Sequence, residues 1–135
     1  MELTLEPMGR ANTLFPRYLD GIKIIKEVGR KSVKIMADME YFAYFDQKFD
    51  HILEAPEMCV NVHIGGVGTQ PNVGDENHHK DMRRLFEVLR EAGYDKGVTC
   101  ACAWVPTNGA AEVDWLFETE KAMDYLEDLR AQVYK

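Results

Sequence analysis

The fold of this chain is decided by one stretch, Val60-Asn61-Val62-His63-Ile64-Gly65-Gly66, in which an apolar strand runs into a glycine turn. The aliphatic residues alternate with Cys59, Asn61 and His63, and a period of two is typical of a half-buried β-strand. If helices cover the aliphatic face, His63 lies on the open face at the carboxyl end of a strand. That end of a parallel sheet is where α/β proteins place their chemistry.

The rest of the chain repeats a strand followed by a helix. Predicted strands cover residues 3–7, 32–38, 59–64 and 98–104, and predicted helices cover 15–28, 45–53, 78–92 and 112–133. Gly29 and Gly93 are expected to end two of the helices, and Asn77 to cap the start of the third. Units of about 30 residues in this order imply an α/β fold with four parallel strands and right-handed helical connections. We see no linker, so residues 1–135 are predicted to form a single domain.

The apolar residues of the last predicted helix recur at helical spacing and indicate its buried face. They are Val113, Leu116, Phe117, Met123, Leu126, Leu129 and Val133.

Charge and composition exclude several classes of partner. The net charge of −7 leaves no basic surface to neutralise phosphates, which argues against nucleic acid. No apolar run approaches the roughly 20 residues of a membrane-spanning helix, and the start Met1-Glu2-Leu3-Thr4 has no signal-peptide character. Three cysteines, an odd number, are typical of free thiols in a reducing compartment. We therefore expect a cytoplasmic protein without nucleic-acid or membrane partners.

Three successive predicted strands end in a residue that can bind a metal. Glu6, Asp38 and His63 all fall on the face away from the helices. Carboxylate oxygen and imidazole nitrogen together suit divalent Mn, Mg, Co or Zn, and three protein ligands leave coordination positions open for catalysis. The simpler alternative is that these groups are solvated or satisfied by the backbone, because polar residues also cluster at strand ends for packing reasons.

Segments in matching order carry a family resemblance. They are Leu3-Thr4-Leu5-Glu6-Pro7-Met8-Gly9-Arg10, the strand 33–38, Val62-His63-Ile64, and 85–95 with its Gly93-Tyr94-Asp95 end. Together they resemble the later part of the xylose isomerase-like TIM barrels, which include sugar isomerases, sugar-phosphate isomerases, 3-epimerases and inosose dehydratases. The resemblance implies that the chain is half of a (βα)8 barrel, with strands that correspond to the fifth to eighth.

The resemblance also implies roles for individual residues. In that family a Glu, an Asp, a His and a second Glu hold a divalent metal, so Glu6, Asp38 and His63 are implied as the first three ligands. Glu6 is implied as the catalytic base too. Arg10 follows Glu6 by four residues, as in the family, which implies that it orients a substrate oxygen. The alternative for Arg10 is an ion pair with an acidic neighbour.

The chain departs from the family pattern at three positions. Tyr41 stands where a His is usual, Thr69 where an Arg is common, and Ala101 where the second Glu is expected. Enolisation at such a site uses one carboxylate to remove a proton and another to return it. The second carboxylate is therefore missing, unless Glu40, Asp75 or water substitutes for it.

The length is the largest departure. A full barrel needs about 250 residues and eight βα units, and this chain supplies four. An open sheet of four strands leaves two edges uncovered, and exposed edges invite pairing. We therefore expect either that two chains join into a homodimer or that the sequence is part of a longer enzyme.

Two functions of different classes follow. The first is a metal-dependent sugar isomerase or epimerase that acts on a ketose, an aldose or a polyol-derived ketone. The second is a noncatalytic half-barrel that binds a small polyol or serves as an assembly module. The presence of Glu6, Asp38 and His63 favours the enzyme, whereas Ala101 in place of the second Glu favours the noncatalytic half-barrel. An endonuclease of the same barrel group is disfavoured, because the chain lacks a basic track and further His ligands.

Overall fold

The computed structural model describes residues 1–8, 14–45, 47–64, 76–100 and 114–135, with the backbone alone at 43–44, 76–81, 115 and 118. The described chain alternates strands and helices. The strands are β1 Leu3–Leu5, β2 Val33–Asp38, β3 Cys59–Ile64 and β4 Val98–Cys100. The helices are α1 Tyr18–Val28, α2 Met39–Tyr44, α3 Glu76–Glu91 and α4 Trp115–Val133, with two 3-10 segments at Phe49–Glu54 and Pro56–Met58.

The four strands form one parallel sheet in the order β1-β2-β3-β4. Spatial order equals sequence order, and a helix lies between each strand and the next. The predicted α/β architecture of four βα units is therefore confirmed. Within the described ranges, no helix is both long enough and apolar enough to cross a membrane.

The hydrophobic core lies between one face of the sheet and the helices. From the sheet it takes Ile35, Ala37, Val62 and Ile64, all at most 3% exposed. The helices contribute apolar residues at helical spacing, since burial of these faces supplies most of the driving force for packing. They are Tyr18, Ile22 and Ile25 of α1, Met82, Leu85, Phe86, Val88 and Leu89 of α3, and Leu126, Leu129 and Val133 of α4. The residues that alternate with the sheet's core positions therefore face the open side.

A bulge in β3 corrects the sequence analysis at Cys59. The pairing of β2 with β3 shifts between Ile35 and Met36, so that Ile35 pairs with Cys59 and Met36 with Asn61. Val60 is the extra residue, and a bulge of this kind reverses which face the preceding residue occupies. Cys59 is consequently 1% exposed and part of the core, not on the polar face with Asn61 and His63.

The prediction of a helix over residues 45–53 is wrong. A short helix, α2, begins at Met39 directly after β2, and Phe49–Glu54 forms a 3-10 segment. The cause is local: the Asp38 carboxylate accepts a hydrogen bond from the backbone N–H of Glu40 and so caps a helix at the end of the strand. Ile52 of the 3-10 segment is nevertheless fully buried in the core.

The helix ends confirm some predictions and correct others. Gly29 and Gly93 take positive φ values of 63° and 64°, as expected where a helix ends in the left-handed conformation. Asn77 lies inside α3 and is not its cap. At α4 the cap is Asp114, whose carboxylate accepts a 3.0 Å hydrogen bond from the N–H of Phe117.

The predicted apolar face of the last helix is correct only for its second half. Leu126, Leu129 and Val133 are buried, whereas Leu116, Phe117 and Met123 are exposed. Val113 lies outside the described residues.

Candidate metal centre

Asp38 is the one buried charged residue found in the described part of the chain, at 8% exposure. It ends β2 with its side chain on the open face of the sheet. Its Oδ1 atom accepts the hydrogen bond from Glu40 N at 2.9 Å, which leaves Oδ2 directed toward the His63 ring. Asp38 therefore combines a structural oxygen, which caps α2, with an oxygen that is available to a ligand.

Burial raises the pKa of the Asp38 carboxyl above its ordinary value. The hydrogen bond from Glu40 N–H and the nearby His63 oppose this effect, while the carboxylates of Glu6 and Glu40 add to it. Folding thus holds a carboxylate where its negative charge is costly, as is common at sites that bind cations or move protons.

His63 pairs in register with Asp38 across β2 and β3. Its Nδ1 atom lies 3.6 Å from Asp38 Oδ2, and its side chain is 25% exposed. Its Nε2 atom lies 3.1 Å from Nδ2 of Asn61. The sequence analysis gave no role to Asn61, although a polar residue two positions before a candidate ligand on the same strand face is a usable signal.

Glu6 follows β1 directly and completes the cluster. One ligand atom from each of Glu6, Asp38 and His63 lies within 4.8 Å of the other two. Donors that share a divalent ion at about 2.1 Å stand about 3–3.5 Å apart, so small side-chain movements would bring all three onto one ion. Among the described residues no Lys or Arg forms an ion pair with Glu6 or Asp38. Two carboxylates and one imidazole fit a divalent cation in both charge and ligand chemistry.

The sequence matches no protein-family model, and no curated protein matches it significantly. Its structure does match solved proteins. A D-psicose 3-epimerase from Clostridium cellulolyticum H10, crystallised with D-tagatose, superposes with a TM-score of 0.74 at 22% identity, over 94% of this chain and 48% of that one. A D-psicose 3-epimerase in the presence of D-fructose gives a TM-score of 0.73 at 18% identity, over 98% of this chain and 50% of that one. Both are TIM barrels. This chain has the fold of half of such a barrel.

The half-barrel spans about half the length of the solved structures it matches. At 18% and 22% identity the likeness shows the fold. The resemblance to the xylose isomerase-like barrels is therefore confirmed as a resemblance of architecture over half of a barrel.

The remaining predicted site residues divide into two groups. Arg10, Thr69, Asp75 and Ala101 lie outside the described residues, so the expectations for them stay predictions. Glu40 is described: it is half-buried and near enough to Asp38 to affect the pKa of that carboxyl. Cys100 is also described: it packs against the core on the helix side of the half-barrel and is therefore absent from the open face.

Substitution of Asp38 by asparagine tests the cost of the buried charge. The asparagine amide would keep an oxygen for the Glu40 N–H and remove the charge, so in chelator at pH 7 we expect the free energy of unfolding to rise by about 0.5–2 kcal/mol. Because folding raises the pKa of Asp38, the wild-type carboxyl becomes neutral in the folded state as the pH falls through that raised value. The difference in free energy of unfolding between Asp38→Asn and wild type should therefore become smaller in acid. Urea unfolding at several pH values measures it.

The matched control is Asp95→Asn, since the Asp95 side chain is 87% exposed. We expect its free energy of unfolding to stay within about 0.5 kcal/mol of wild type. If Asp38→Asn is less stable than wild type at every pH, the charge of Asp38 does not destabilise the fold, because interactions within the fold compensate for its burial.

Proposed function

We propose that this chain is the metal-binding half of a sugar isomerase or epimerase, acting on a ketose, an aldose or a polyol-derived ketone. One observation carries the proposal. Glu6, Asp38 and His63 converge within 4.8 Å at the carboxyl ends of three adjacent strands, in a fold that matches half of D-psicose 3-epimerase. The carboxyl ends of the strands are where TIM-barrel enzymes carry their active sites.

Each side chain then has a chemical task. Asp38 and His63 would hold a divalent ion together with Glu6, and such an ion polarises a carbonyl and stabilises the negative charge of an enediolate. Glu6 removes the proton from the carbon next to the carbonyl, and the electrons of that C–H bond form the carbon–carbon double bond of the enediolate. Return of a proton to the opposite face of the same carbon gives epimerisation, and return to the neighbouring carbon gives isomerisation.

Two further residues complete this scheme. We propose that Glu40, which is half-buried and close enough to Asp38 to affect the pKa of that carboxyl, returns the proton, alone or through water. Arg10, four residues after Glu6, is proposed to bind a substrate oxygen. A planar guanidinium with several N–H donors suits that task.

The other half of the barrel must come from elsewhere. In the described residues β1 and β4 each pair on one side only, and the face that carries Asp38 and His63 has no helices over it. We propose that a second copy of this chain pairs at these edges and encloses the site. The alternative source is a further segment of a longer polypeptide.

A second candidate function rests on Ala101, which stands where the family resemblance implies the fourth ligand. A half-barrel without that ligand could bind a metal and a polyol without turning it over. This candidate differs from the first in one measurable respect, because it predicts ligand binding without proton exchange.

Exchange of a substrate proton with solvent deuterium tests the enzyme most sharply, because it reports the enediolate whichever isomer is formed. With Mn²⁺ or Co²⁺ in D₂O, we expect D-fructose, D-psicose or D-tagatose to lose a proton signal next to the carbonyl. Glu6→Gln should slow this exchange at least about 100-fold, since general bases contribute about 10²–10⁴ in rate. The readout is proton NMR of the sugar.

The matched control for the exchange experiment is Glu54→Gln, an exposed glutamate in the 3-10 segment. It should exchange at the wild-type rate. Metal-loaded wild-type protein that binds a sugar but exchanges no proton on any member of the panel would favour the noncatalytic candidate.

Self-association is tested at the edge of β1. Leu3 is 57% exposed there, and a charged side chain on an edge strand blocks pairing. We expect the wild-type protein to dimerise and Leu3→Lys to raise the dissociation constant of the dimer at least about tenfold. Sedimentation over a range of concentrations measures this constant. Leu14→Lys, at a loop residue that is 87% exposed, should leave the dimer intact. A wild-type chain that is monomeric at every concentration would contradict assembly from two copies.

A further inference from the structure

The side chain of Asn61 is held in one orientation by two hydrogen bonds. Its Oδ1 atom accepts from the backbone N–H of Val62 at 3.0 Å and from the Thr99 hydroxyl at 3.3 Å. A backbone N–H can only donate, so the amide atom that faces Val62 must be the oxygen. The NH₂ group of Asn61 is therefore the atom that faces the His63 ring.

That orientation dictates which ring nitrogen of His63 carries the proton. Asn61 Nδ2 lies 3.1 Å from His63 Nε2, and because an NH₂ group donates, Nε2 has to accept with its lone pair. A neutral imidazole has one proton, which must then be on Nδ1. The Nδ1–H group is the one that faces Asp38 Oδ2, at 3.6 Å.

We propose that Asn61 is a positioning residue that fixes His63 as the Nδ1–H tautomer, directed at Asp38, and thereby sets the affinity of the site for a divalent metal. Three strands contribute to this arrangement. Asp38 of β2, His63 of β3 and Thr99 of β4 pair in one row across the sheet, and Asn61 lies two residues before His63 on the same strand. The second part of the proposal rests on the metal site proposed above.

The tautomer of His63 affects metal affinity because a ring nitrogen that carries a proton cannot bind a metal. The nitrogen that faces Asp38 is Nδ1, and a metal can bind it only after its proton has left. The ring stays neutral if that proton moves through solvent to Nε2. An Nε2–H group then faces the NH₂ group of Asn61, donor against donor. Relief requires the amide to turn over, which breaks its hydrogen bonds to Val62 and Thr99.

Asn61→Asp removes this conflict, because a carboxylate accepts hydrogen bonds at both oxygens. The new carboxylate can accept from Val62 N–H and from His63 Nε2–H together, in the carboxylate–histidine arrangement typical of metal sites. Thr99→Val acts in the same direction without a change of charge, since it removes one of the two hydrogen bonds that clamp the amide.

The first measurement uses metal-free protein with ¹⁵N-labelled imidazole rings, in alkaline buffer. The ¹⁵N shifts distinguish a protonated from an unprotonated ring nitrogen, and His63→Gln assigns the signals. We expect His63 of the wild type to be protonated at Nδ1 and His63 of Asn61→Asp to be protonated at Nε2. His51, on the 3-10 segment, should keep the same spectrum in all variants.

The second measurement is the affinity of the wild type and of each variant for Mn²⁺, obtained by calorimetric titration with Mn²⁺ alone. Asn61→Asp should bind at least about tenfold more tightly than wild type, in the range typical for partners of a metal-binding histidine. Thr99→Val should bind more tightly by a smaller factor, which separates the effect of tautomer from that of added charge.

The two measurements separate this proposal from the metal site itself. A wild-type His63 protonated at Nε2, or an Asn61→Asp variant whose tautomer is unchanged, overturns the role of Asn61 whatever the metal does. The expected tautomers in protein that never binds Mn²⁺ would support the role of Asn61 and contradict the proposed metal site. If His63 changes its tautomer in Asn61→Asp while the Mn²⁺ affinity stays that of the wild type, the claim that Asn61 sets the metal affinity is overturned.

Discussion

The register between two parallel strands is the constraint on which the site depends. Asp38 and His63 pair directly across β2 and β3, so both side chains leave the sheet on its open face at the same height. The opposite face at this height holds Ala37, Val62 and Ile64 in the core. A slip of either strand by one residue would turn its polar residue, Asp38 or His63, into that core, where an unpaired polar or charged group is far more costly than a displaced methyl group. Packing of the core therefore also fixes the site.

The sequence is sufficient for the large-scale fold because its signals are local and repeated. Period-two alternation predicts four strands, and their parallel order follows from the helices between them. The convergence of Glu6, Asp38 and His63 is also predictable, since the carboxyl ends of adjacent parallel strands meet at one edge. Family resemblance adds the expectation of a half-barrel, and the match to D-psicose 3-epimerase confirms that architecture.

Some features of the structure could not be predicted from the sequence, for two reasons. Some depend on contacts between residues that are distant in the chain, and others on a side chain that has two roles. The bulge that turns Cys59 into the core is a property of the β2–β3 pairing, which alternation within β3 alone cannot indicate. Helix α2 begins early because Asp38, read as a metal ligand, also caps it. The role of Asn61 appears only when the partners of its amide are known, and one of them, Thr99, is 38 residues away.

The metal centre at Glu6, Asp38 and His63 is tested most directly by the amount of bound metal per chain, measured by elemental analysis of protein purified without chelator or affinity tag. The comparison is with Asp38→Ala, and with Asp95→Ala as a control at an exposed aspartate. We expect near-stoichiometric divalent metal in the wild type and in Asp95→Ala, and its loss in Asp38→Ala. Metal absent from all three after incubation with Mn²⁺ and Co²⁺, or retained equally by all three, would contradict a metal centre at Glu6, Asp38 and His63.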